Sequence, residues 1–171
     1  MPTATLTRLH ESVKSPNLKV DAEAGVIRDV KILGRESKNG RTYSQSALEE
    51  ACLLYQNVKV NIDHPDRSTP GAERKFEEGF GELRNCKVCQ SGVYGDLHFP
   101  KSHPKTALVC EYAERFPRQF GLSHNAEGEL VQKDGGWVVE SIEEVYSVDN
   151  LICRPGEVLA QTATIRFRRQ P

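Results

Sequence analysis

No stretch of this 171-residue sequence approaches the run of roughly 20 apolar residues that a membrane-spanning helix needs. Neither sign of charge predominates. The 23 Lys and Arg residues face 24 Asp and Glu, for a net charge of −1. Domains that grip nucleic acid through its phosphates carry a clear basic excess, so binding of that kind is excluded. The opening stretch MPTATLTRLHESVKSPN lacks the charged-then-apolar layout of a secretory signal, and cytoplasmic synthesis is the expectation. Cysteine is sparse and odd in number, at five, which favours free thiols over a disulfide framework. There is no internal repeat, no low-complexity run and no Gly-x-Ser-x-Gly nucleophile elbow, which removes the α/β-hydrolase reading. What remains is a chain long enough to bury one core, with 37% hydrophobic residues.

Residues 1–23 are polar without a sustained period and read as a flexible arm. GVIRDVKILG (25–34) alternates with apolar residues on both faces, the pattern of a buried strand. Asn39-Gly40 supplies a tight bend. SQSALEEACLLYQN (44–57) reads as a helix with a Ser46/Glu49 capping box and a buried face of Ala47, Leu48, Ala51, Leu54 and Tyr55. VKVNIDHP (58–65) is a short strand with Val58, Val60 and Ile62 inward, followed by a breaker-rich loop over 66–79. Residues 80–99 form a hairpin turning at Gln90-Ser91-Gly92. Residues 104–117 form a second helix with Leu108, Tyr112 and Phe116 spaced by four. After FGLSHNAEG and a Gly135-Gly136 turn, WVVESIEEVYSVDNLIC (137–153) is a long strand, and the basic end QTATIRFRRQP is weakly structured. This order is not the regular alternation of a doubly wound sheet; it is an α+β fold dominated by antiparallel strands.

Several residues carry chemistry in principle. Cys86 and Cys89, followed by His98 and His103, have a zinc-like spacing. Residues three apart on a strand point to opposite faces, so two such thiolates diverge rather than converge on one ion. No metal and no cofactor are expected. Ser123 is an ordinary strand serine unless a base lies within about 3 Å. Its neighbour His124 points to the other face of a strand. His64 ends a strand before a proline and a long loop, where a side chain is both held and reachable. In ESIEEVYSVDN, Val145, Ser147 and Asp149 share a face by alternation, and Asp149 closes an otherwise apolar strand. A buried carboxylate there needs a partner, and an imidazole would serve.

Taken together, VKILGRESKNGRTYSQSALEEA leading into VNIDHP, then GDLHF, KSHP, FGLSHNAEG and SVDNLICRP resemble a tailed-bacteriophage prohead maturation protease. This family is related in fold to assemblin, the herpesvirus assembly protease. The resemblance covers residues 24–156 and rests on the order and spacing of His64, Ser123 and a third member. It implies a serine endopeptidase with Ser123 as nucleophile and His64 as general base. In the herpesvirus branch the third member is a histidine; here no histidine follows His124. A carboxylate takes its place in the reading, Asp149 first and Glu144 as runner-up. Backbone amides near Arg154 and Gly156 are the implied oxyanion and substrate-binding groups. The implied fold is a mostly antiparallel, assemblin-like β-barrel flanked by helices. The implied division is an arm at 1–23, a protease domain at 24–157 and a tail at 158–171.

The implied substrates are phage scaffold protein, major capsid protein and the chain itself. The implied place is the assembling prohead in the host cytoplasm, with a homo-oligomer as a possible state and neither nucleic acid nor membrane as partner. A reading from another class is a non-catalytic scaffold or assembly module that keeps the protease fold.

Overall fold

The computed structural model describes residues 5–15, 17–63, 75–149 and 165–166. In chain order its strands are β1 (Thr5–Lys14), β2 (Lys19–Asp21), β3 (Val26–Gly34), β4 (Arg41–Tyr43), β5 (Lys59–Asn61), β6 (Gly79–Cys89), β7 (Gly92–His98), β8 (Gly121–Lys133), β9 (Gly136–Asp149) and β10 (Ile165–Arg166). Two helices, α1 (Gln45–Tyr55) and α2 (Thr106–Arg115), complete the set. All ten strands join one sheet in the order β10-β1-β8-β9-β5-β6-β7-β3-β2, with β4 also against β9.

The pairing is antiparallel except where β4 and β5 meet β9. β9 is long enough to take both along one edge. Trp137, Val138 and Val139 pair with β4, and Val148 pairs with Val60 of β5. Helix α1 links these two short strands and closes the core over them. Ala47, Leu48, Ala51 and Tyr55 of α1 are buried beside Val60, Leu83, Leu97, Leu122 and Val139. The sheet curls enough for Ser15, just past β1, to accept a hydrogen bond from the Lys31 amide of β3. The result is a β-rich α+β fold with a curled half-barrel, not the closed barrel of the sequence reading. Among the described residues the sheet keeps two edges, at β10 and β2.

Four local expectations are corrected. The arm expected at 1–23 contains β1 and β2, and β1 lies inside the sheet against β8 over ten residues. Its inward positions carry Thr7, Leu9 and Glu11, all buried, so a polar composition concealed a core strand. Helix α1 is capped by Ser44, whose hydroxyl accepts from the Ala47 amide, rather than by Ser46. Leu54 of α1 is 37% exposed instead of buried. In α2 the buried face is Val109, Cys110 and Ala113, one position on from the expected stripe, leaving Leu108 and Phe116 exposed.

The strand at 25–34, the hairpin at 80–99 and the inward Val60 and Ile62 are found where expected. Of the loop at 66–79, residues 66–74 lie outside the described set and Phe76–Glu78 form a short 3-10 turn. Of the tail at 158–171, only Ile165 and Arg166 are described, paired with β1.

Candidate active site

The β8–β9 hairpin sets the site by register. Counting back from its Asp134-Gly135 turn, the two strands pair until Ser123 lies directly opposite Asp149. Cross-strand partners have Cβ atoms about 4.5–5.5 Å apart on one face, so the register brings two of the predicted residues together. Both are buried, Ser123 at 4% and Asp149 at 3% exposure.

The register also corrects the face assignment of Asp149. Between Asn125 and Ala126 the ladder shifts: Asn125 pairs with Ser147 and Ala126 with Val145. Val145 and Val148 both pack on the core although they are three apart, which strict alternation forbids. The bulge absorbs the extra residue and turns Asp149 to the face opposite Val145. Glu144 pairs with Glu127, is exposed, and lies four ladder positions from Ser123, roughly 13 Å along the strand. The structure therefore brings Asp149, and not Glu144, to Ser123.

On the far side of β9, β5 runs parallel with Val60 against Val148. The next residue, Asn61, is 4% exposed, and its Nδ2 donates to Asp149 Oδ1 over 3.0 Å. Sequence reasoning missed Asn61. Its only signal was its place three residues before His64 at the end of an apolar strand. His64, Arg154 and Gly156 lie outside the described residues.

His124 occupies the other face of β8, as alternation requires. It is 1% exposed, and its Nδ1 is hydrogen-bonded to the Tyr55 hydroxyl at the end of α1. Burial, with Glu11 next, pushes the Tyr55 phenol well above its ordinary value, so Tyr55 keeps its proton. Tyr43 is raised in the same way, by burial first and then Glu11. Glu11, opposite His124 on β1, accepts from Tyr43 at 3.0 Å, Asn39 at 3.0 Å and Arg41 at 3.2 Å. This network ties β1, the Asn39-Gly40 turn, β4 and α1 to the strand that carries Ser123.

The cysteine pair behaves as packing. Burial first, then Cys52, pushes the Cys86 thiol up to about 12, far from a thiolate ligand. Val88 packs on the core with Cys86, which leaves Cys89 to the opposite face. His103 sits edge-on to Phe80 with ring centroids 5.2 Å apart. Among the described residues no three His, Cys, Asp or Glu side chains gather as a metal-holding group. Beside Asn61 on β5, Lys59 lines a cleft of about 580 Å³ that continues over Glu82, Arg84, His98 and Phe99. Burial first, then Arg84, lowers His98 below the usual imidazole value.

This fold has a known counterpart. It is similar to the capsid assembly protease of bacteriophage T4, with a TM-score of 0.57 at 18% identity, covering 86% of this chain and 96% of that one. No protein-family model matches the chain. No curated protein matches it either. At this identity the likeness is one of fold, and the chemistry rests on the residues. No helix among the described residues is long and apolar enough to cross a membrane.

Proposed function

We propose that the chain is a serine endopeptidase of phage prohead maturation. Ser123 attacks the peptide carbonyl, His64 takes its proton, and Asp149 orients the imidazole and stabilises its charged form. Backbone amides near Arg154 and Gly156 receive the oxyanion, a role worth about 3–4 kcal/mol for each donor. The observation that carries this reading is the ladder position of Ser123 opposite Asp149, beside the strand that leads to His64. The fold similarity to a capsid assembly protease supports the setting, an assembling capsid. In this proposal the substrates are scaffold and capsid-protein segments and the chain itself. A peptide laid along the cleft over β5, β6 and β7 would run beside the site.

The burial of Ser123 favours one other reading, a scaffold or assembly module that keeps the fold without turnover. Co-expression with the scaffold and capsid proteins separates the two. Intact-mass analysis is expected to show cleavage with the wild type and none with Ser123→Ala, both folded by circular dichroism. Equal cleavage in both removes Ser123 as nucleophile, and cleavage in neither, in assembled shells, supports the scaffold module.

A further inference from the structure

We infer that Asn61 is a positioning residue of this site, acting on Ser123 through Asp149. The inference rests on the serine-protease reading above and names a residue that reading does not use. Three observations carry it. Asn61 is 4% exposed, at the last position of β5, on the side of Asp149 away from Ser123. Its Nδ2 donates to Asp149 Oδ1 at 3.0 Å. Its Oδ1 is buried and has no hydrogen-bond partner among the described residues.

The third observation decides the sense of the first two. A carboxylate accepts and does not donate, so the amide must turn its N–H₂ toward Asp149 and leave its oxygen facing away. That orientation leaves a buried carbonyl without a partner among the described residues, which is unfavourable. A residue retained for stability alone would not carry such a cost. One retained for its donor would, because the donor fixes one carboxylate oxygen and leaves the other aimed along a single direction. Asp149 is then held from β5 while its strand partner Ser123 is held from β8, so the base of the proposed triad would meet a carboxylate that does not rotate. Burial of the same side chain in a low-dielectric place strengthens the bond and makes the orientation firm.

The test is the rate at which a small fluorophosphonate phosphonylates Ser123, with fluoride leaving, in the full-length protein, read by intact mass over a range of reagent concentrations. Asn61→Leu keeps volume and removes the donor. It is expected to lower the maximal rate tenfold or more while leaving the half-saturating reagent concentration unchanged. Asn61→Thr returns a donor on a strand-compatible side chain and is expected to recover most of the rate. It also serves if the leucine variant does not fold. In an Asp149→Asn background the leucine substitution is expected to cost less than twofold, since a residue acting through Asp149 has nothing left to orient. Equal losses in both backgrounds, or no loss in the first, overturn the inference and leave the protease reading standing. A folded wild type that takes no label at Ser123 overturns the reading and the inference together.

Discussion

A buried carboxylate is tolerated only where donors converge on it, and Glu11 shows what this costs to disturb. It accepts from Tyr43, Asn39 and Arg41, and the Arg41 side chain is itself only 11% exposed. Glu11→Ala strands that guanidinium and is expected to cost about 3–5 kcal/mol in denaturant unfolding. Glu11→Gln keeps the shape and is expected to cost about 1–3 kcal/mol. The same cluster sets an alkaline limit. Tyr43 and Tyr55 are both raised in the folded protein, chiefly by burial. Their contribution is complete below about pH 10, where the unfolded phenols begin to ionise, and is lost as pH rises toward the folded values. Stability measured from pH 9 to 12 is expected to fall above pH 10 by about 1.4 kcal/mol per pH unit for each tyrosine. The Cys86 thiol, also raised by burial, adds to the fall over this range; Tyr55→Phe is expected to remove one tyrosine's share of the slope, and a slope unchanged in this variant would refute the assignment.

At the scale of elements, the β8–β9 hairpin fixes the distance between Ser123 and Asp149, so anything that parts its strands parts the site. A Cβ at Gly128 would lie 2.2 Å from the Ser141 carbonyl across the ladder. Backbone cannot retreat from it without opening the pair. Gly128→Ala is expected to destabilise by about 1–3 kcal/mol and to slow fluorophosphonate labelling of Ser123 in the molecules that remain folded, measured by melting and by intact mass. For α1, Ser44→Ala is expected to cost about 1 kcal/mol and more than Ser46→Ala, because the Ser44 hydroxyl holds the Ala47 amide.

The hairpins and α1 were legible in the sequence because period and turn chemistry agree there, from Val26–Gly34 to Gln90-Ser91. β1 was not, since its buried positions include Thr7 and Glu11, and the donors to Glu11 come from elsewhere in the chain. Nor was the face of Asp149, because alternation cannot see a bulge that the partner strand imposes. Ser123 and Asp149 could be named from order and spacing, whereas Asn61 acquires meaning only when β5 is laid parallel to β9.

Over the whole molecule, a curled sheet with one long strand at its centre gathers three segments remote in sequence: the end of β5, the start of β8 and the end of β9. That convergence is what the fold contributes; the fold itself is similar in outline to that of a capsid assembly protease at 18% identity. If the imidazole that follows β5 is the base, its neutral form is the active one. Labelling of Ser123 is then expected to rise with pH through a single ionisation between pH 5 and 8. A rate flat from pH 5 to 8 would count against His64.

The measurement that bears most directly on the central claim is the site of fluorophosphonate attachment in the folded wild type, mapped by peptide mass spectrometry. The account predicts one adduct per chain, on Ser123, lost in His64→Ala and Ser123→Ala. An adduct on another residue, or a folded protein that takes none, would contradict it.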